Sequence, residues 1–179
     1  MKAFVTYAEL RKFGSEVDAG RLLKEANASE GKTVFISHSS ADDELLPGVI
    51  RILEVHGGKV YVDKKDPSLK QMDIFDIANR LRGAVRLCRK FVLLVTPRSK
   101  GSSWIPWELG LGDGCNHDVN VALFPSAETA GEQQWSEQEY LGLYQRIIRG
   151  DLVGQPNGQW LVLDHRKNTA IKLGDWLRS

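Results

Sequence analysis

One feature of the sequence limits the available folds more than any other: five short, apolar, β-branched runs alternate with stretches of helical spacing. The runs occupy residues 33–37, 59–63, 91–96, 119–124 and 160–163. Between them, residues 42–56 carry Leu45, Leu46, Val49, Ile50 and Leu53 on one side and stop at Gly57-Gly58. Residues 74–87 read as a second helix, and a third begins near Trp104. Residues 140–147 read as a short helix, and residues 169–178 as a closing one. Parallel neighbours need crossover connections, so this order predicts a five-stranded parallel sheet covered on both faces, a doubly wound α/β architecture.

The chain has 179 residues and is 42% hydrophobic, enough to build one core at that size. Ahead of the alternating pattern, Leu10, Phe13 and Val17, then Leu22, Leu23 and Ala26, recur at helical spacing, with Gly14 and Gly20 dividing or loosening the helix. Residues 1–31 therefore read as an N-terminal helical arm that packs on its own domain or on a neighbouring subunit, its own domain being the plainer option, with residues 27–32 as a polar hinge. Residues 32–179 form the main domain. Because the sheet pattern starts at Thr33, trimming residues 1–28 is expected to leave the fold intact.

Charge and thiol content exclude several functions. Lys and Arg number 24 against 23 Asp and Glu, a net charge of +1, so the overall balance offers no nucleic-acid footprint and no polybasic membrane anchor. The local basic run 80–90 reads as a solvated helix face. The longest apolar run, residues 91–95, is too short to span a membrane, and no signal-peptide pattern opens the sequence, so a cytoplasmic location is expected. Cys88 and Cys115 lack metal or redox spacing, and the four histidines form no metal signature.

The chemistry concentrates in residues 102–114, Ser-Ser-Trp-Ile-Pro-Trp-Glu-Leu-Gly-Leu-Gly-Asp-Gly. Ser102 or Ser103 is a plausible N-cap, and Pro106 falls in a first turn that tolerates its missing N–H. Trp104 and Glu108 then lie one turn apart on one face. The glycines at 110, 112 and 114 are expected to end this helix early. The helix dipole favours a Glu108 carboxylate, whereas desolvation by Trp104 and Trp107 disfavours it.

In an open parallel sheet every strand's C-terminal end lies at one edge, where ligands bind at the reversal of strand order. That edge receives Ser37, His38 and Ser39 from the first strand and Asp63 from the second. It also receives the long polar loop 64–73, a candidate lid, and from the third strand Arg98, Lys100 and the Trp104 helix.

Four strings carry a resemblance. They are Val-Phe-Ile-Ser-His-Ser-Ser-Ala-Asp at 34–42, Val-Tyr-Val-Asp at 60–63, Ser-Ser-Trp-Ile-Pro-Trp-Glu-Leu-Gly at 102–110 and Glu-Tyr-Leu-Gly-Leu-Tyr at 139–144. Over about residues 32–179 the chain resembles bacterial Toll/interleukin-1 receptor (TIR) domains, and Phe4 to Arg11 is similar to the leader of some stand-alone bacterial members. The resemblance implies a flavodoxin-like sheet, a mobile loop after the second strand, and, in the catalytic branch, cleavage of the nicotinamide–ribose bond of NAD+ with no permanently bound cofactor. It makes Glu108 the essential catalytic residue and points to His38 and Ser39 along the nucleotide, although the aromatic-basic pair common there in animal and plant members is missing. It also implies homo-oligomers through TIR–TIR contacts. In proteins resembling the sensor-synthase of Thoeris antiphage defence, a diffusible nucleotide product then activates a separate effector protein.

Cleavage leaves an oxocarbenium-like ribose, which needs negative charge beside the sugar and a wall that limits water. Glu108 would supply the charge, and Trp104 and Trp107 the wall. Nicotinamide leaves without protonation, so one carboxylate suffices. Water as acceptor gives ADP-ribose, an atom of the same molecule a cyclic isomer, and another nucleophile a conjugate. Ser37, His38, Ser39, Asp63, Arg98 and Trp104 are the candidate substrate contacts. Each also has a plainer reading: turn capping for Ser37, Ser39 and Asp63, a backbone bond for His38, solvation for Arg98 and Lys100, core packing for Trp104. Two other functions fit the same strings: a non-catalytic TIR scaffold that self-associates, and a nucleoside-processing enzyme of the deoxyribosyltransferase kind.

Overall fold

The computed structural model describes residues 4–16, 18–26, 31–62, 73–102, 104–129, 139–152 and 154–179. One strand in from the edge of its sheet, β2 (Val34–Ser37) pairs in parallel with β3 (Val60–Val62) on one side and β4 (Lys90–Val95) on the other. β4 continues in parallel to β5 (Val121–Ala127), and β5 to β6 (Gln145–Leu152). These five strands have the flavodoxin-like order β3-β2-β4-β5-β6, whose switch point lies between β2 and β4.

Side-chain alternation divides the core into two layers. Val34, Ile36, Val92, Leu94 and Phe124 face α3 (Leu46–Val55) and α6 (Leu173–Arg178), whereas Phe35, Phe91, Leu93 and Leu123 face α4 (Ile74–Leu87) and α5 (Trp104–Asn116). On that second face Phe35 stacks on Phe91 at 5.5 Å and meets Tyr61 at 5.8 Å, an aromatic row across three strands. Both sheet faces are covered, as a parallel sheet requires.

Three expectations are corrected at the far side of the sheet. The predicted helix 140–147 is a 3-10 turn, Glu139–Leu143, followed directly by β6. Its helix-like spacing of Leu141, Tyr144, Ile147 and Ile148 gives way because β5 needs a partner for its backbone groups. The predicted fifth strand, 160–163, lies inside β7 (Gln155–Asp164), which runs antiparallel to β6. The predicted closing helix opens as β8 (Thr169–Lys172), antiparallel to β7, before α6. With β1 (Val5–Thr6) the described residues form eight strands in one sheet.

Helix boundaries shift for identifiable reasons. Residues Ser40–Leu45 form a 3-10 turn, and α3 starts at Leu46 with Pro47 in its first turn, where a missing N–H is tolerated. α5 continues through all three of its glycines. Gly112 faces the sheet, and a Cβ there would stand 2.6 Å from the Phe91 ring, so the glycine allows close packing instead of ending the helix. Lys90, part of the basic run, is buried at the base of β4. Its Nζ donates to Asn120 Oδ1 (2.6 Å) and Ser179 Oγ (3.0 Å) and lies over the Trp176 ring; burial pulls its pKa down to about 8. Asp63 and the loop proposed as a lid lie outside the described residues, apart from Asp73, which precedes α4.

The N-terminal arm packs on its own chain. β1 adds in parallel to the end of β5, with Ser126 Oγ donating to Val5 O at 2.7 Å. A Thr6–Glu9 capping box starts α1 (Tyr7–Ser15), which crosses α3, and α2 (Ala19–Ala26) follows. Gly14 lies inside α1 instead of dividing it, against Pro47 and Gly48. Val5, Tyr7, Leu10, Leu22 and Ala26 are buried in the same core as β2 and α3. Deleting residues 1–28 would therefore uncover core surface, and the expectation that the fold survives such trimming is withdrawn.

A Cβ at Gly48 would stand 2.1 Å from the Leu10 carbonyl oxygen, a backbone atom that moves only with its helix. Gly48→Ala is expected to cost at least about 2 kcal/mol by urea unfolding, while Gly83→Ala, with open space around its α-carbon, costs nothing comparable. Equal stability of the two variants would contradict the crossing described here.

Candidate functional site at the switch point

Alternation along β2 places Phe35 and Ser37 on the α5 side of the sheet. Ser37 is the last residue of the strand and is 2% exposed. Facing it, α5 turns Ile105, Glu108, Leu109 and Gly112 inward, the spacing of a helical stripe. Glu108 is thus an acid within the apolar stripe that meets the sheet, and it is 8% exposed. Ser37 Oγ donates a hydrogen bond to Glu108 Oε2. A carboxylate there needs such a donor, because desolvation without one is expensive.

Trp104 and Trp107 lie on the same helix as Glu108, ring centroids 5.6 Å apart and edge to face. Both are partly buried against the second core layer, and the Arg82 guanidinium lies 5.7 Å from the Trp107 ring centre. Trp104 and Glu108 do lie one turn apart on α5. Ser103 falls outside the described residues, and Ser102 closes the preceding 3-10 turn (Pro97–Gly101) with its N–H on Ser99 O.

Other sequence candidates occupy the same edge but are held by neighbours. His38 Nε2 lies 2.9 Å from Asp43 Oδ1, and Ser39 Oγ accepts from Ala41 N, capping the turn after β2. Arg98 Nη1 donates to Glu44 Oε1 at 2.7 Å and its guanidinium lies over the Tyr7 ring at 4.6 Å. Glu44 also accepts from Arg11 at 2.8 Å, and these two arginines hold its carboxyl at a pKa of about 2. The Arg98 group is thus bound into a clamp between the arm and the turn Ser40–Leu45. Among the described residues no group of three His, Cys, Asp or Glu side chains is placed to hold a metal ion.

One polar pair at this edge escapes sequence reasoning. Asp42 is fully buried, and its Oδ2 accepts from Thr96 Oγ1 at 2.8 Å, a contact between residues 54 apart. Thr96 caps the turn after β4, its Oγ1 accepting from Arg98 N and Ser99 N. The string Thr-Pro-Arg-Ser signals that cap, but only the topology brings Asp42 to it.

Burial raises the Asp42 pKa above its ordinary 3.8, opposed by the Thr96 bond and the Arg98 charge. The folded chain therefore keeps a proton on Asp42 over a pH range where the unfolded chain has released it, so this group's contribution to stability falls as pH rises from 3.8 through the shifted value. Urea unfolding from about pH 4 to about pH 8 is expected to show wild type losing stability relative to Asp42→Asn as pH rises. Parallel curves would contradict that burial.

Comparison with known proteins places the chain among relatives. A protein of Bacillus cereus (strain MSX-D12), named probable 3' cyclic ADP-D-ribose synthase ThsB', is 27% identical over 174 residues, 93% of this chain and 88% of that protein. That share is too large to leave out the whole 31-residue arm. The TIR domain family matches residues 34–146, a span holding Ser37, Asp42, Thr96 and Glu108. With the flavodoxin-like strand order and the acid of Trp-x-x-x-Glu buried at the switch point, that match places the chain in the TIR domain family.

Proposed function

We propose that this TIR domain cleaves the nicotinamide–ribose bond of NAD+ and closes the ADP-ribosyl fragment on itself, making a cyclic ADP-ribose that serves as a signal in antiphage immunity. The observation that carries the reading is the Ser37–Glu108 pair at the switch point, a carboxylate fixed where an α/β sheet of this order takes its ligand. The name of the Bacillus cereus relative supports the cyclic product and favours the 3' isomer. No helix among the described residues is long and apolar enough to cross a membrane, which fits action on cytoplasmic NAD+.

In this mechanism the C–N bond breaks with its electron pair leaving on nicotinamide, which departs neutral. Positive charge passes to the ribose. Glu108 stabilises that charge across a partly desolvated site, where a fixed carboxylate acts more strongly than in water. A hydroxyl of the same molecule then attacks the anomeric carbon and gives up its proton, so the products are nicotinamide, the cyclic nucleotide and one proton. The Ser37 hydroxyl holds Glu108 in the rotamer that meets the sugar. Trp104 and Trp107 restrict water, whose attack would yield linear ADP-ribose. His38 and Ser39 lie along the nucleotide, and Asp63 is retained as a further contact from the second strand. Self-association through TIR–TIR contacts completes the site, and the product acts on a separate effector protein.

Nicotinamide release and product mass, measured on concentrated protein with NAD+, test the reading. Glu108→Gln is expected to lower kcat by about a hundredfold or more, and Ser37→Ala by about tenfold. Specific activity is expected to rise with protein concentration. Absence of nicotinamide release at every concentration would favour the scaffold alternative. Turnover of free nucleosides in place of the dinucleotide would favour the deoxyribosyltransferase alternative.

A further inference from the structure

We propose that Asp42 is a positioning residue for the bond-breaking step: through Thr96 it fixes the turn that leads into α5 and so sets Glu108 against Ser37. This rests on the NAD+-cleaving reading above. Two connections join the end of β2 to α5. One is direct, Ser37 to Glu108. The other runs from the turn after β2 through Asp42 to Thr96, and from Thr96 along the turn Pro97–Gly101 to the start of α5. Together they span the switch point and enclose His38 to Ala41 between them.

The chemistry of Thr96 makes the second connection specific. Its oxygen has two lone pairs and one proton; the lone pairs take the N–H groups of Arg98 (3.1 Å) and Ser99 (3.2 Å), which leaves the proton for Asp42 Oδ2 (2.8 Å). Ser99 Oγ returns the capping box by accepting from Thr96 N at 3.1 Å. The start of the turn is therefore held by side-chain bonds at Thr96 and Ser99, a few residues ahead of α5 in the chain. Asp42 meanwhile is an expensive residue to keep. It is 0% exposed, and its Oδ1 has no hydrogen-bond partner among the described residues. A core position filled for stability alone would favour an apolar or neutral side chain.

The outer side of the same turn is held separately, by Arg98 on Glu44 and Tyr7, so the Asp42 bond is the inner of two anchors. Removing it leaves the turn attached but free to shift. A displacement near 1 Å is enough to cost a reaction that depends on a fixed carboxylate.

The test measures kcat and KM for nicotinamide release by wild type, Glu108→Gln, Asp42→Ala, Asp42→Asn, Thr96→Val, Thr96→Ser and the double variant Asp42→Ala/Thr96→Val. All are assayed below their unfolding transitions. Asp42→Ala and Thr96→Val are each expected to lower kcat about tenfold with KM within about twofold of wild type. The double variant is expected to be no worse than Thr96→Val alone, because that substitution already removes the Asp42 bond together with the cap on Arg98 N and Ser99 N. Asp42→Asn and Thr96→Ser, which keep an acceptor and a donor, are expected to recover most of the loss. Should Asp42→Ala fail to fold, Thr96→Val against Thr96→Ser decides. Wild-type turnover abolished by Glu108→Gln but unchanged in Asp42→Ala and Thr96→Val, or losses that multiply in the double variant, would overturn the inference alone. Wild type without nicotinamide release would overturn the functional reading and this inference with it.

Discussion

A carboxylate set in the stripe of α5 that meets a parallel sheet is the constraint from which the rest of this structure follows. Glu108 stands between Ile105 and Leu109 and is nearly buried, so it has to find a donor from the strand it faces. Ser37 is that donor because strand alternation turns it toward α5 and because it ends β2. For the two to meet, α5 has to lie close on the sheet. Gly112, one turn after Glu108 on α5, permits that closeness, since any Cβ there would strike the Phe91 ring. The close packing of α5 on the sheet and the candidate chemistry are thus parts of one arrangement.

The second dependency runs through the arm. Residues 4–26 place Tyr7 and Leu10 in the core shared by β2 and α3, and Arg11 on the Glu44 that also holds Arg98. Exposed ion pairs of this kind contribute little singly. Their value here is geometric: they tie α1, the turn after β2 and the turn after β4 to one carboxylate, while Arg98 also covers the Tyr7 ring. With Asp42 and Thr96 beneath, both turns that flank the switch point are held from inside and outside.

The sequence made the parallel core legible because each of its first four strands is a short β-branched run followed by a helical stripe or a turn. The places of Glu108 and Ser37 at one sheet edge were legible, one from Trp-x-x-x-Glu and the other from a strand's end, but their bond to each other was not, since Ser37 read as a cap or a substrate contact. Less legible were features settled by partners distant in the chain. Residues 140–147 have helical spacing, and pairing with β5 turns part of them into strand. Three glycines look like a helix stop until Phe91 is seen to need one of them. Arg98 looks like a free cation for a pyrophosphate until Tyr7 and Glu44 are placed around it. Asp42 and Thr96 carry no joint signal at all, being 54 residues apart.

In the proposed reaction the nicotinamide ribose of NAD+ is seated against the carboxylate that Ser37 holds. A crystal structure of Glu108→Gln with saturating NAD+ tests it most directly, because the charge-neutral variant preserves the site's shape while blocking turnover. The dinucleotide is expected across the β2–β4 edge with a ribose hydroxyl within hydrogen-bond reach of the residue 108 side chain. A dinucleotide bound with its nicotinamide ribose away from α5 would rule that seating out.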